Sequence, residues 1–294
     1  MVDLDINRKQ ENDMPRGVYD RKNAKARNMT SLSTPVIFET DEEIRTKLDE
    51  RFECLTDMTS AACLGEVRSL IVSGPAGLGK SFTVEKVLEA YDPEEVRTTQ
   101  VKGFVRATGL MRLLYQHRHS GSVIVFDDAD AILYDEVGLN LIKAATDSSD
   151  KRMISWMTEA KFEDEDGDVI PRRFEFNGTV IFITNLDFDK MIDKGHKLAP
   201  HLEALISRAF YMDLAMKTKR DYFIRIQQVV DAGLLNNLGL SKTEQTDVMA
   251  FVDDHFDRLR ETSLRMVLKI AALKKSNPSR FEKMARITCL RNAS

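Results

Sequence analysis

The sequence has few cysteines and no long apolar run. Its 294 residues include three cysteines, at positions 54, 63 and 289, and no two of them form a CxxC pair. So sparse a set, odd in number, argues against a disulfide framework and against a zinc site. No apolar run approaches the roughly 18 residues that a bilayer-spanning helix needs, and the polar opening MVDLDINRKQEND does not resemble a signal peptide. We therefore expect a cytoplasmic protein with no membrane partner.

The charge balance is slightly acidic, and the cations are unevenly placed. Lys and Arg number 43 against 47 Asp and Glu, which gives a formal net charge of −4. This argues against a chain coated in positive charge for passive nucleic-acid binding, but not against a local basic surface. Residues 258–294 carry ten Lys or Arg against Glu261 and Glu282. The asymmetry favours a surface that faces nucleic acid or a partner, with a solvated helical face as the alternative.

The order of apolar segments predicts an α/β core followed by a helical region. Residues 1–34 lack apolar periodicity and are predicted to form a mobile N-terminal arm. Between residues 35 and 215, short apolar runs alternate with helical patterns, which is typical of a parallel sheet covered on both faces. Only helical patterns remain in residues 216–294. The five predicted strands are SLIVS (69–73), TTQV (98–101), SVIVF (122–126), TVIFI (179–183) and AFYMDL (209–214).

Two capping boxes predict where helices begin. Thr40 is followed three residues later by Glu43, and an apolar stripe then predicts a helix over about residues 41–60. Ser241 and Glu244 have the same spacing in the helical region.

A glycine-rich segment follows the first predicted strand. Residues 74–81 read GPAGLGKS, which fits GxxxxGK[ST], and they open onto a helical segment. Glycines are needed because backbone N–H groups must turn inward around phosphates, where a Cβ would block their approach. Lys80 would reach the β- and γ-phosphates, and Ser81 would ligate Mg²⁺. The pattern predicts an ATP and Mg²⁺ site whose binding residues are Gly74, Pro75, Ala76, Gly77, Leu78, Gly79, Lys80, Ser81 and Phe82.

An acidic pair ends the third predicted strand. Asp127 would hold Mg²⁺ together with Ser81, as a metal-assisted phosphoryl-transfer site requires. Asp128 follows where a base could orient the attacking water. Acidic turns after strands are common, so the pair indicates a phosphoryl-transfer site only in combination with the glycine loop.

These segments resemble those of AAA+ ATPases, and especially of phage-encoded members, over about residues 36–275. The similarity rests on GPAGLGKS (Walker A), VIVFDDAD (Walker B), FDDADAILYDEVGLNLIKAATDS and FEFNGTVIFITNLDFD. It implies a P-loop αβα sandwich with a parallel five-stranded sheet and a small C-terminal helical lid. ATP would lie between neighbouring subunits of a ring, commonly a hexamer. One departure is Asp128, where the family usually has Glu, and this leaves the base and the turnover rate open. Superfamily 3 helicases share the spacing but generally lack such a lid, so we rank them lower.

The resemblance also assigns residues outside the two Walker segments. Asn185 matches the sensor 1 position, where it would hold water between the γ-phosphate and Asp128. Arg208 matches the arginine finger that acts on the neighbour's ATP, and Arg265 matches the sensor 2 arginine of the lid. The alternatives are a strand-ending turn residue for Asn185 and an arginine in a local ion pair for Arg208.

Two further segments are candidates for contact with a polymer. Lys102 and Phe104 fall where polymer-threading members place an axial pore loop. An aromatic residue next to a glycine and flanked by cations could stack on bases or intercalate between peptide side chains. Phe104 as a core residue is the alternative. Residues 158–178 contain Asp166-Gly167, a hairpin signal, and resemble the pre-sensor 1 insertion. Arg172 and Arg173 of this insertion could point into the channel of the ring. The acidic tip over residues 163–168 would repel DNA, and it favours contact with a basic partner or solvation as the alternative.

The sequence thus predicts a homo-oligomeric ring ATPase that hydrolyses the phosphoanhydride bond of ATP to move or remodel a polymer. DNA is the favoured polymer, in a helicase or helicase-loader role during phage replication or DNA processing. Phage or host replication proteins would be its partners, and the host cytoplasm its location. A protein remodeller and a slow ATP-dependent assembly switch remain as alternative hypotheses.

Overall fold

The computed structural model describes residues 39–157, 162–164 and 167–292, and the predicted arm over residues 1–34 lies outside them. In this described part, no helix is long and apolar enough to span a membrane. The strands are β1 (Ser69–Ser73), β2 (Thr98–Lys102), β3 (Val123–Asp127), β4 (Met153–Ser155), β5 (Arg173–Glu175), β6 (Thr179–Thr184) and β7 (Phe210–Asp213). The helices are α1 (Asp41–Cys63), α2 (Lys80–Tyr91), α3 (Ala107–Gln116), α4 (Glu136–Ala145), α5 (Phe188–Asp193), α6 (Ala199–Ile206), α7 (Lys219–Asp231), α8 (Lys242–Asp254), α9 (Leu264–Ser276) and α10 (Phe281–Thr288).

Five strands form one parallel sheet in the order β2, β3, β6, β1, β7. β1, β3 and β6 are buried along their full lengths. Strands covered on both faces have no solvent-facing positions, which explains the unbroken apolar runs of the sequence. The predicted fold class, a parallel five-stranded sheet between helices, is confirmed.

Helices cover the sheet on both faces. On one face, Leu55 of α1 packs with Val84 of α2 against the sheet. On the other face, Leu114 of α3, Ile142 of α4 and Leu202 of α6 belong to a second apolar cluster. The sheet is therefore the middle layer of three, and its edges are where polar groups can collect.

The third strand extends one residue beyond its apolar run. Asp127 is still part of β3, where it is in register with Lys102 of β2 and Ile183 of β6. The predicted strand ends before Asp127 because the apolar pattern stops at the first carboxylate. The observed strand continues because backbone hydrogen bonding between strands does not require an apolar side chain. This edge, formed by the carboxyl ends of the parallel strands, carries the acidic pair.

The hairpin prediction over residues 158–178 needs a correction at its start. β4 pairs with β5 in antiparallel register, so the strand pairing begins at residue 153, before the predicted boundary. A further bridge joins Glu163 to Val169, and Gly167 has a φ of +86°. β4 is three residues long with one buried position, too short for an alternating pattern to reveal it.

The C-terminal helices α7–α10, here called the lid, have an apolar core of their own. Phe223, Val248, Val267 and Ala285 contribute to it from one helix each. The capping box at Ser241 and Glu244 begins α8, as that at Thr40 and Glu43 begins α1, so both predicted helix starts are confirmed. The lid is joined to α1 by Gln228, whose amide donates to the Asp49 carboxylate at 2.7 Å.

Candidate nucleotide site

The glycine loop connects β1 to α2 with backbone conformations that side chains rarely adopt. Gly77 has a φ of +73° and Gly79 a φ of +96°, in the left-handed region that favours glycine. The first helical residue of α2 is Lys80, so the loop delivers the unpaired N–H groups of a helix N-terminus to this edge of the sheet. Such a terminus is a ready-made anion site.

Lys80 is held inside this loop. Its buried Nζ donates to the carbonyls of Gly74 at 2.6 Å and Pro75 at 2.8 Å and to Asn185 Oδ1 at 3.0 Å. Burial lowers the pKa of Lys80 to about 8, while the charges of Asp128 and Asp127 oppose that shift. The ammonium makes no carboxylate ion pair within the described residues. A phosphate entering the loop would supply the missing opposite charge.

Ser81 and Asp127 lie together beside the loop. Ser81 Oγ donates to Asp127 Oδ1 at 2.8 Å, and Gln100 Nε2 donates to Asp127 Oδ2 at 3.2 Å. Burial raises the pKa of Asp127, and the bond from Ser81 acts in the opposite direction. Gln100 is a site residue that the sequence does not predict, because its contact with Asp127 depends on the pairing of β2 with β3.

Asp128 and Asn185 form a second polar pair. Asn185 Nδ2 donates to Asp128 Oδ1 at 2.6 Å, while Asn185 Oδ1 accepts from Lys80. These two partners fix the orientation of the amide, because an ammonium only donates and a carboxylate only accepts. Asp128 adopts a φ of +53° and its side chain is exposed, so its carboxylate can meet a water molecule.

A third carboxylate, Asp130, was given no role by the sequence. Its Oδ1 is buried without a hydrogen-bond partner among the described residues. Burial raises the pKa of Asp130, and a bond from Thr184 opposes this. The signal available in the sequence was the acidic run DDAD, which does not reveal burial.

The lid closes the other side of the loop. Leu264 N donates to Gly77 O at 2.8 Å, and the buried Arg225 donates to Leu78 O at 3.3 Å and lies 3.3 Å above the Phe52 ring. A cavity of about 230 Å³ lies between loop, sheet and lid. It is lined by Ala76, Gly77, Gly79, Lys80, Ser81, Phe82, Asp128, Ile183, Asn185, Val229, Leu234, Leu264, Arg265 and Leu268.

The cavity has a phosphate-binding end and an apolar end. The phosphate-binding end is formed by Lys80, Ser81 and the exposed Arg265. The apolar end is formed by lid residues that include Val229 and Leu234. Such a cavity suits a nucleotide, because its phosphates are charged and its base is largely apolar. A groove of about 690 Å³ between α1 and α2 is larger, but no residue of β3 or β6 lines it.

Arg208 does not line the cavity. Its Nη1 donates to Ala204 O at 2.6 Å, and its backbone carbonyl accepts from Ser69 Oγ at 2.9 Å. Ser69 is the first residue of β1, so Arg208 lies at the edge of the sheet opposite to the glycine loop.

The candidate polymer contacts are divided between two places. Lys102 pairs with Glu85 at 2.7 Å and lies 3.9 Å from Asp127, beside the nucleotide site rather than out with Phe104. Phe104 is 70% exposed, so it is not a core residue. Arg172 and Arg173 are exposed on the hairpin. The position of Lys102 could not be predicted from the sequence, because it depends on the register of β2 with β3, which places Lys102 opposite Asp127.

Comparisons with known proteins identify the family of the chain. Residues 70–197 match the model of the ATPase family associated with various cellular activities (AAA). An uncharacterised 36.7 kDa protein of the nrdC-mobD intergenic region of Enterobacteria phage T4 is 36% identical over 249 residues. That alignment covers 84% of this chain and 76% of the phage protein. The chain belongs to the AAA family, and it is an ATPase that binds and hydrolyses ATP.

Solved structures with lower similarity were also found. A point mutant of RuvB from Thermotoga maritima is 16% identical with a TM-score of 0.45, and the match covers 85% of this chain and 71% of that one. NtrX of Brucella abortus in complex with ADP is 14% identical with a TM-score of 0.48, covering 76% of this chain and 50% of that one.

Proposed function

We propose that the protein assembles into a ring in which each subunit supplies Arg208 to the ATP held by its neighbour. The observation that carries this proposal is the position of Arg208 at the sheet edge opposite to the glycine loop. Ser69, which contacts Arg208, begins β1, and Gly74 follows the end of β1. Five residues at about 3.3 Å each separate the two edges by roughly 16 Å. Because the guanidinium is also bonded to Ala204 O at this opposite edge, we assign its phosphate target to another subunit.

A contact between two different surfaces of identical subunits closes into a ring when the rotation allows it. One surface would be the nucleotide cavity, and the other would carry Arg208. We propose a hexamer of this kind, with residues 1–34 as an N-terminal arm, residues 35–215 as the AAA+ core and residues 216–294 as lid and basic tail.

Each polar group of the cavity has a task in hydrolysis. Lys80 and Arg265 bind phosphate oxygens, and the amide of Asn185 orients Asp128 by the 2.6 Å bond. Asp128 then accepts a hydrogen bond from the attacking water and aligns it with the γ-phosphorus. Arg208 of the neighbouring subunit stabilises the charge on the transferring phosphoryl group.

The donor atoms beside the loop fit Mg²⁺. Ser81 Oγ and Asp127 Oδ1 are 2.8 Å apart, and both are oxygens, which this ion prefers. Two protein ligands are sufficient, because Mg²⁺ commonly completes its shell with phosphates and water. When bound there, the ion supplies charge neutralisation for the β- and γ-phosphates.

Arg208→Ala tests the interface directly. We expect the variant to bind ATP like the parent protein and to lose turnover by about 10³-fold or more, because the lost charge acts only in the transition state. Arg112→Ala, which removes an exposed arginine of α3, is the matched control and should keep full turnover. Normal turnover in Arg208→Ala would refute the finger assignment.

For the polymer we propose DNA, in a helicase, helicase-loader or DNA-processing role in the cytoplasm of a phage-infected host. Support comes from the exposed Phe104, from Arg172 and Arg173, and from the basic C-terminal region. In that region, Lys274 is paired with Asp247 at 2.7 Å, so part of its charge is already neutralised. Phage or host replication proteins are the proposed partners.

Steady-state phosphate release with single- and double-stranded DNA tests this choice, with Lys80→Ala as the blank. Stimulation of several-fold that is lost in Phe104→Ala supports the DNA motor. Turnover that ignores DNA but responds to unfolded polypeptide supports a protein remodeller instead. ATP-driven assembly with almost no phosphate release supports a slow switch. This is the third hypothesis, and its basis is that Asp128 is one methylene shorter than the usual Glu.

A further inference from the structure

A second cation lies on the same surface as Arg208. Lys143, in the last turn of α4, donates from Nζ to His201 Nδ1 at 2.6 Å. An ammonium has no acceptor, so the imidazole nitrogen must accept this bond. Lys143 is thereby fixed against α6, the helix that leads into Arg208.

The geometry of α6 brings the two cations to one face. His201 precedes Ala204 by three residues, which is the spacing of neighbours along one side of a helix, and Arg208 follows two residues after the end of α6. Lys143 is bonded to the first of these positions, and the Arg208 guanidinium to the carbonyl of the second. The last turn of α4 is on the same side of the sheet as α6, since Ile142, Thr146 and Leu205 line one gap next to Ser69.

This cationic face lacks an anion of its own. No carboxylate of the described residues lies within ion-pair distance of Lys143 or Arg208. Asp147 is near enough for Arg208 to lower its pKa, but the larger causes are bonds from Ser149, which hold its carboxylate. Burial and the charge of Arg208 lower the pKa of Lys143. The C-terminus of α4 offers partial negative charge, but it offsets only part of a full positive charge.

We propose that Lys143 is a second residue that acts in trans, binding a phosphate oxygen of the ATP held by the neighbouring subunit. This inference rests on the proposed function, because it uses the surface that carries Arg208. A polyphosphate is the ligand that the chemistry favours, since it presents several anionic oxygens to two adjacent cations. His201 acts as a positioning residue, because it orients the ammonium without contacting the ATP.

Mixing two inactive variants tests the proposal. Lys143→Ala should lose roughly 10²- to 10³-fold in phosphate release, as expected for removal of one donor that stabilises charge on the transferring group. Lys80→Ala should be inactive because its own site is broken, but its Lys143 and Arg208 are intact. In an equal mixture, about a quarter of the interfaces pair an intact site with an intact cationic face, so activity should return to roughly a quarter of the parent level.

The controls separate this inference from the proposed function. Arg208→Ala mixed with Lys80→Ala is run in parallel. Recovery with Arg208→Ala but none with Lys143→Ala overturns the role of Lys143 and leaves the shared site standing, while recovery with neither overturns the shared site itself. Lys143→Arg should keep most of the turnover, and Lys190→Ala, which removes an exposed lysine of α5, should change nothing. Loss of DNA stimulation alone in Lys143→Ala, with basal release unchanged, would assign the lysine to DNA and contradict the proposal.

Discussion

The contact between lid and glycine loop allows a quantitative prediction at Gly77. A Cβ added to this residue would lie 2.6 Å from the Cβ of Ser263, a separation that real structures avoid. The same glycine carries the carbonyl that accepts from Leu264 N at 2.8 Å. Gly77→Ala must therefore push α9 away from the loop or distort the loop itself.

Two terms determine the size of the effect. Placing alanine at a φ of +73° costs about 1–2 kcal/mol, as it does at any left-handed position. Relief of the clash adds about 1–3 kcal/mol, the range for overpacked sites, and weakening of the Leu264 bond adds about 1 kcal/mol. Gly195→Ala is the matched control, since Gly195 has a φ of +63° and no atom within 4 Å of its added Cβ.

The assay is urea unfolding, followed by ATP binding to the folded variants. Gly77→Ala should lower the free energy of unfolding by about 3–6 kcal/mol, and Gly195→Ala by about 1–2 kcal/mol. Adding Ser263→Gly to Gly77→Ala should restore part of the difference, because a cap changed to glycine costs only a few tenths of a kcal/mol. Equal losses in the two alanine variants, or no rescue by Ser263→Gly, would refute the proposed contact.

Two further predictions concern the acidic pair and the cysteines. Asp128→Asn should bind ATP normally, because its side-chain oxygen can still accept from Asn185, but phosphate release should fall by about 10²-fold or more; unchanged release would move the role of base to another group. Burial raises the pKa of Cys63 to about 11, whereas Cys54 is exposed. A thiol reagent at pH 8 should therefore modify Cys54 quickly and Cys63 only after unfolding. Equal rates of modification in the native protein, measured by mass spectrometry, would contradict the burial of Cys63.

Local patterns predicted the sheet well because its strands are covered on both faces. β1 coincides with the run SLIVS, and both capping boxes begin helices as expected. The glycine loop could be located because its backbone adopts positive φ angles that favour glycine, so its conformation is visible in its composition. Polar residues at strand ends were harder to predict, and Asp127 belongs to β3 although its side chain ends the apolar run.

The relations between distant residues could not be predicted. Lys102 lies beside Asp127 because β2 and β3 pair in that register, which no local pattern specifies. Lys143 and His201 meet only because α4 and α6 pack together. Both are tertiary contacts, and the second one fixes the ammonium of Lys143.

Hydrolysis of ATP between subunits is the central step of the proposed function. The decisive measurement is phosphate release by Arg208→Ala and Lys80→Ala, each alone and then mixed in equal amounts. We predict almost no release from either variant alone and recovery to about a quarter of the parent rate on mixing, because about a quarter of all interfaces then combine an intact site with an intact arginine. A mixture as inactive as its components, under conditions where the subunits assemble, would contradict the shared site.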